Sequence, residues 1–373
     1  MSLANVLAAS TDSVIPLLRS MLPRFGQAPA AETILSDVGG VRTVGHGAWP
    51  EDPSFAAAWE DLVKRVEGAT VFQTAQWQQA ILAWPQRLDR LLLLAVWRGS
   101  RLIGVLPLQS ARGRRAESAG AVVSDYLDPL IDPAYEQDAW RSIFNFLRVQ
   151  PTAPATLILR NVRPQADCRA TLARIAAEEG FTLQEEVHGA SCFLQLPKSW
   201  DDYLAILKSG DRKELRRKIA KAESQAGAVL EPETDAAGNL ARAQHVFSLI
   251  EAGGGKRGIK CRWIFRGLLD ASGMALAERQ WLRVFSLRLQ DRPSAGVITF
   301  RSPKGMMAWA TAYNESDKNW SPGIVAFAMT IRRAIEEGAE YLDLLRGDCD
   351  YKARLGAQTR PLYQLTLSRN GAV

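Results

Sequence analysis

The chain has 373 residues, 47% of them hydrophobic and 23% charged, which suits two or three cored domains and excludes a wholly disordered chain. Its longest apolar run, Leu91 to Trp97, falls far short of the roughly 20 residues a membrane-spanning helix needs. Four cysteines (Cys168, Cys192, Cys261 and Cys349) include no CxxC pair. That excludes a disulfide scaffold and a cysteine zinc site, and fits a reducing compartment.

Lys and Arg outnumber Asp and Glu by 46 to 40, a net charge of +6. The basic residues gather in three stretches, 98–115, 208–221 and 256–266, of the kind that attracts polyanions such as nucleic acid, a nucleotide diphosphate, acidic lipid or acidic polysaccharide. The first 25 residues place their arginines after the apolar part, so they do not read as a secretory signal. Val6 to Met21 reads as a weak amphipathic helix interrupted by Pro16. Residues 26–54 are rich in Gly, Ala and Pro and predict a linker with one strand around Val41 to Val44. Residues 1–54 are therefore expected to be leader and linker.

Phe55 to Val66 reads as a helix, and Phe72 to Trp77 leads into a second that runs to about Trp84, where Pro85 stops it. Leu91 to Trp97 and Leu102 to Leu108 form a hairpin about Arg98-Gly99-Ser100. After a loop at Ser124 to Leu130 come a helix at Glu136 to Arg148, a strand at Thr156 to Leu159, a helix at Asp167 to Glu179 and a strand at Ser191 to Leu196. Trp200 to Lys208 and the basic Asp211 to Gln225 predict two helices, and Ala228 to Glu231 a strand. Helices at Leu240 to Glu251 and Trp263 to Ala271 flank a glycine-rich basic loop. Strands at Trp281 to Leu289, Ala295 to Arg301 and Met306 to Tyr313 lead to an amphipathic helix at Ser321 to Glu337. Tyr341 to Leu345 and Leu362 to Ser368 are the last strands. One succession (two antiparallel strands, a further strand or loop, a helix, a strand) occurs twice, over about 90–160 and 281–346. It predicts an α/β fold of α+β character, with a mixed sheet covered by helices on both faces.

Ser321-Pro322-Gly323 opens the helix with a favoured N-cap, a proline at N1 and a glycine that lets a ligand approach the backbone. The first-turn amides and the helix dipole then form an anion seat. By themselves these three residues equally describe a well-capped helix. The three histidines, His46, His188 and His245, show no catalytic ordering, and no metal-ligand cluster is visible.

The order strand, strand, anion-seat helix, strand resembles the CoA-binding core of the GNAT acyltransferase superfamily. The chain more specifically resembles its FemAB-like, CelD-like branch, the BioF-like acetyltransferase domain linked with cellulose biosynthesis. The resemblance covers about residues 55 to 369. It rests on Phe72-Gln73-Thr74 with Trp77, Gly104 to Leu108, Ser124-Asp125-Tyr126-Leu127-Asp128-Pro129-Leu130, the basic helix Arg212 to Lys221, Ser321-Pro322-Gly323, and Asp343-Leu344-Leu345-Arg346-Gly347-Asp348 followed by Tyr351-Lys352. It implies tandem GNAT-like halves, at 55–197 and 198–373, with the acyl-CoA site in the second. It also implies cytoplasmic transfer of an acyl group from acetyl-CoA or another acyl-CoA to an amine or hydroxyl, in the setting of exopolysaccharide biosynthesis.

On that reading Asp348 is the favoured general base, with Asp343 and Asp350 as further carboxylates, Tyr351 protonates the leaving thiolate, and Lys352 and Arg346 bind an anionic group or pair with these aspartates. Ala310, Thr311 and Ala312 hold the pantetheine, Ser321, Pro322 and Gly323 the diphosphate, and Trp309, Tyr313 and Trp320 line the acceptor site. A salt-bridge cluster closing the sheet explains the acidic and basic residues equally well. Where the family reads Gly-Asp-Glu before Tyr-Lys, this chain has Cys349. Two alternatives follow: a Fem-type transferase that takes aminoacyl groups from tRNA through the basic helix, and a non-catalytic binding protein of an exopolysaccharide assembly.

Overall fold

The structure, a computed structural model, describes residues 34–82, 91–111, 114–164, 168–253, 266–347 and 350–369. The expected leader helix, Asp348, Cys349 and most of the basic loop after Ala252 lie outside the described residues. Strands β1 (Ile34–Val38) and β2 (Val41–His46) precede helices α1 (Pro53–Arg65) and α2 (Ala75–Leu82). Then come β3 (Leu91–Arg98), β4 (Arg101–Ala111), β5 (Arg115–Ser118), β6 (Leu130–Ile131), α3 (Glu136–Val149), β7 (Thr156–Val162), α4 (Cys168–Glu178) and β8 (Phe181–Gln195). Helices α5 (Trp200–Ile206) and α6 (Ser209–Ala226), strand β9 (Val229–Leu230), α7 (Ala236–Ala252) and α8 (Arg266–Glu278) lead into the second series. That series is β10 (Leu282–Leu289), β11 (Arg292–Ser302), β12 (Gly305–Tyr313), α9 (Pro322–Glu336), β13 (Tyr341–Arg346), α10 (Asp350–Arg354) and β14 (Gln358–Arg369).

All fourteen strands belong to one mixed sheet, ordered β1-β2-β3-β4-β5-β7-β14-β8-β13-β12-β11-β10-β9, with β6 beside β4. The repeated succession seen in the sequence is β3-β4-β5-α3-β7 and β10-β11-β12-α9-β13. In each, the helix is the crossover between two parallel strands, β5 with β7 and β12 with β13. The strands that follow are exchanged. β8, made after the first series, lies against β13 of the second, and β14 lies against β7 of the first. The antiparallel β8–β14 ladder from Phe193–Gln358 to Phe181–Arg369 thus joins the halves.

The sequence predicts one strand in 26–54; the structure has two, β1 and β2, paired to the edge of β3. It predicts only Ser191 to Leu196 of β8. Residues 184–189 are exposed on both faces of the ribbon, so they carry none of the alternation by which a half-buried strand is recognised. Helix α6 ends where expected, with Gly227 at φ 58° in the left-handed region.

Helices α6 and α9 cover one face of the second half, burying Val325, Phe327 and Ile331 against Phe285, Leu287, Leu342 and Leu344. The other face is shared between halves: Phe72 and Trp77 of the first pack with Phe247, Leu269, Ile298 and Phe300 of the second. At about 1.5–3 kcal/mol for each large apolar side chain buried, this shared core fixes the halves against each other. It also brings the loop after β5 over β13.

Candidate active site

Parallel β12 and β13 pair only over Gly305–Tyr341, Met306–Leu342 and Met307–Asp343. Beyond that point they diverge, and the β12 edge that faces β13 has no strand partner among the described residues. A bulge follows at once. The β11 register steps from Thr299–Ala308 to Ile298–Ala310, which leaves Trp309 as the extra residue. The divergence opens a cleft of about 510 Å³, lined by Leu249, Ile250 and Gly253 at the end of α7, Thr311 to Tyr313 of β12, Gly323, Ile324 and Phe327 of α9, and Tyr351 of α10.

Helix α9 starts at the floor of this cleft. The sequence predicts that the Ser321 hydroxyl caps it. Instead Ser321 sits at φ 52° and its side chain makes no capping bond, while its carbonyl accepts from Val325 N at 3.1 Å. Pro322 has no N–H, and the amides of Gly323 and Ile324 donate to no partner recorded among the described residues. No acidic residue occupies the first turn. Two outward amides at the positive end of a fifteen-residue helix are what a phosphate group needs. The fit to a diphosphate-bearing donor is tightened at Gly323: a Cβ there would come within 3.1 Å of the Tyr313 ring.

The corresponding wedge of the first half is closed. After β5 and β7 diverge, the chain from 119 to 129 fills the gap: Asn161 Nδ2 donates to the carbonyls of Ala121 and Ser124, at 3.0 and 2.9 Å, and Leu127 N donates to Asn161 O at 3.2 Å. Where α9 has bare amides, Asp132 caps the 3-10 turn before α3 by accepting from Ala134 N at 3.1 Å. Glu136 and Asp138 follow in the first turn of α3. These carboxylates repel an anionic ligand, so only the second wedge has room and charge for one.

The sequence-predicted residues divide accordingly. Thr311, Ala312, Tyr313, Gly323 and Tyr351 line the cleft, with Tyr351 packed on Phe327 at 5.8 Å between ring centres. Ala310 and Trp309 lie instead on the α7 face of β12. Trp309 meets Trp77 edge-on at 5.4 Å and Phe300 at 5.1 Å, in the shared core rather than in an aromatic acceptor lining. Pro322 is buried. Trp320 is half-buried under Lys221, whose Nζ is 5.0 Å from the ring centre and 3.1 Å from Asn319 O. Asp350 is exposed at the start of α10.

Arg346 is committed to the other half: it donates to Asp125 Oδ1 at 2.9 Å and to the carbonyls of Ala121 and Val122 at 3.2 Å each. Burial raises the Asp125 carboxyl above its usual range, against the lowering effect of Arg346.

Lys352 is buried, and its Nζ lies 2.8–3.3 Å from four successive carbonyls, Leu344 to Gly347. That stretch includes Leu345 at φ 60°, a left-handed conformation that a leucine adopts only under constraint. Lys352 thus braces the turn at the end of β13. Lys352→Met should destabilise the protein by about 3 kcal/mol, because several charge-assisted bonds to buried carbonyls are lost together. Urea unfolding checks this.

Asp343 stands at the last paired position before the strands diverge, on the shared-core face. Both its oxygens lie 2.8 Å from the Tyr126 hydroxyl, and Oδ1 also accepts from Leu345 N at 2.7 Å. Burial pushes its pKa up to about 6, against the lowering effects of Tyr126, the Leu345 amide and Arg163. In the first half the left-handed residue of the matching strand is Asn161 (φ 55°), and two residues before it stands Leu159. The first half therefore has no acid at the matching position. The sequence reading named Asp343 but not Tyr126, which it quoted only as part of a motif 217 residues away.

Residues 209–353 match the acetyltransferase (GNAT) domain model, and the match spans α6, the cleft, α9 and α10. This part of the chain is similar to GNAT acetyltransferase domains. Its whole architecture is similar to the crystal structure of FemX, with a TM-score of 0.56, 12% identity, and coverage of 83% of this chain and 95% of FemX. A conserved protein of unknown function from Bacteroides thetaiotaomicron superposes with a TM-score of 0.51 and 12% identity, covering 90% of this chain and 99% of that one. The C-terminal DUF2156 domain of an Agrobacterium fabrum protein assigned as a lysylphosphatidylglycerol synthetase does so at 0.50 and 13%, covering 85% and 92%. No curated protein matches the sequence. At these identities the neighbours speak for the fold alone. Among the described residues no helix is long and apolar enough to cross a membrane.

Proposed function

We propose that the second half, taken as 198–373, binds an acyl-CoA, acetyl-CoA in the simplest case, and transfers its acyl group to an amine or hydroxyl of a saccharide or cell-envelope precursor. One observation carries this reading. The only one of the two related wedges that stands open among the described residues ends on the bare amides of Gly323 and Ile324, without a carboxylate in the helix turn. Pantetheine would run along the unpaired β12 edge from Ala310 to Ala312, and the diphosphate would sit on α9. A carboxylate, Asp343 at the apex or Asp348 beyond the braced turn, takes the acceptor proton, and Tyr351 returns a proton to the leaving sulfur. The saccharide class rests on the resemblance of the sequence motifs.

Titration of the full chain with acetyl-CoA tests the donor: saturable binding is expected, and no binding at millimolar ligand would reject it. A second reading, transfer from an aminoacyl-tRNA, is favoured by the exposed Lys213, Arg216 and Arg217 of α6. If RNA is the donor carrier, its affinity should fall at least tenfold between 50 and 200 mM salt, as released counterions require. Gel-shift titration reads this, and the acetyl-CoA reading expects no specific shift.

A further inference from the structure

The acid at the apex is not supplied with its surroundings by its own half. The loop 121–128 crosses from the first half, and two of its side chains, Asp125 and Tyr126, converge on β13. Asp125 pairs with Arg346 at 2.9 Å. Asp128 pairs with Arg163 at 2.6 Å, and the Arg163 guanidinium lies 5.0 Å from the centre of the Tyr126 ring. Tyr126 itself is 1% exposed and places its hydroxyl on both oxygens of Asp343. Its ring is fixed edge-on by Phe72 at 6.1 Å.

We infer that Tyr126 is a positioning residue for the acyl transfer of the other half: its hydroxyl holds Asp343 in one orientation and favours the ionised form that accepts the acceptor's proton. This rests on the acyl-CoA reading and assigns the base within it to Asp343 rather than Asp348.

Geometry supports the role. Oδ1 already accepts from the Leu345 amide, whereas Oδ2 accepts from Tyr126 alone among the described residues, which leaves Oδ2 with a lone pair for an incoming proton. As the acceptor N–H or O–H attacks the thioester carbonyl, its proton passes to Oδ2, the new acyl bond forms, and the C–S bond breaks with the sulfur taking a proton from Tyr351. The base then returns its proton to solvent, and the Tyr351 phenolate regains one from solvent. The charged groups that face Asp343 are Arg163, which favours the carboxylate, and Asp125, which opposes it and is itself offset by Arg346 and Lys352. From β8, Phe193 is the residue opposite Asp343 and Ser191 adds a side-chain hydrogen bond to Tyr126. In this balance the phenol is a hydrogen-bond donor to the charged form. Its removal raises the carboxyl pKa, by about one unit for one donor of this kind.

The test compares the full-length parent, Tyr126→Phe and Asp343→Asn. The Tyr126→Phe change removes one oxygen and keeps the ring in its packing. Two readouts are taken: the infrared carboxyl band that vanishes in Asp343→Asn, titrated without any donor, and the acidic limb of kcat/KM against pH with acetyl-CoA. The expected result is a parent band and limb both near pH 6 and a shift of both upward by about one unit in Tyr126→Phe, with acetyl-CoA affinity unchanged. If neither moves, the role of Tyr126 is overturned and acyl-CoA binding stands. If the band moves and the limb does not, Asp343 is not the base and the inference fails. If no preparation binds or turns over acyl-CoA, it falls together with the donor reading. Should the phenylalanine variant not fold, Ser191→Ala substitutes: it frees Tyr126 from its second hydroxyl partner and should shift the limb by less than half a unit, whereas loss of the limb altogether would overturn the inference.

Discussion

Gly323→Asp should abolish acyl-CoA binding in a protein as stable as the parent or slightly more so. Position 323 lies in the first turn of α9, where the backbone is helical and an acidic side chain interacts favourably with the helix dipole by about 0.3–1 kcal/mol. Its Cβ meets the Tyr313 ring at 3.1 Å, a tight contact. Tyr313 is 40% exposed at the cleft mouth and can swing outward. For a diphosphate the same change is severe. A carboxylate about 5 Å from one phosphate charge repels it by roughly 3 kcal/mol at an effective dielectric near 20, about a hundredfold in affinity, before the filled space is counted. Calorimetric titration with acetyl-CoA and a thermal melt on the same sample separate the two effects. Equal loss of binding and of melting temperature would mean that 323 is simply a packing position. The first half shows the arrangement already made: Asp132, Glu136 and Asp138 at the equivalent helix start.

Asp343→Asn should lower turnover by about 10²–10⁴-fold, the usual worth of a positioned general base, while making the protein relatively more stable as the pH rises. The sign follows from the raised pKa. The folded carboxyl titrates near 6 and the unfolded one near its ordinary 3.8, so between these values the folded state binds the extra proton. Stability is therefore highest below about pH 4 as far as this group is concerned, and it falls as the pH rises through 6. Two pH units correspond to about 3 kcal/mol. The asparagine keeps an acceptor for Tyr126 and the Leu345 amide but does not ionise. Denaturant unfolding at pH 5 and pH 8 should show the variant gaining on the parent by about 1.4 kcal/mol, the part of the change that lies above pH 5. A constant difference would mean that the carboxyl is not protonated in the folded protein near neutrality. An acid kept at this disadvantage where the first half has the apolar Leu159 is more readily understood as part of the chemistry than as a strut.

Much of the fold was legible in the sequence. The hairpin β3–β4, the amphipathic α3 and α9, and the repetition of strands about a crossover helix all follow from periodicity and from the glycines and prolines that end the elements. The start of α9 at Ser321-Pro322-Gly323 was legible too, although Ser321 contributes a left-handed bend and not a hydroxyl cap. The exchange of β8 and β14 was not, because strand order across a sheet is set by contacts between segments far apart in the chain, and β8 is polar on both faces through Glu185, Glu186 and His188. The tryptophans misled for a related reason. Trp309 belongs to a strand that the bulge turns toward Trp77 and Phe300, so its aromatic face is spent on the core. Lys352, next to a carboxylate-rich motif, read as an anion binder, whereas the left-handed Leu345 turns four carbonyls toward it.

The pairing of Tyr126 with Asp343 was the least accessible part. Neither residue's local pattern distinguishes it, and only the closure of the first wedge by the chain from 119 to 129 carries Tyr126 across to β13. The first half is closed by its own loop, and that loop packs against β13 of the second.

The most direct test of this account is a crystal structure of the full chain with CoA. The expected density has the diphosphate on the amides of Gly323 and Ile324, with pantetheine between β12 and β13 and its sulfur near Tyr351. Density for CoA in the first wedge or along α6, with the cleft at α9 empty, would contradict it.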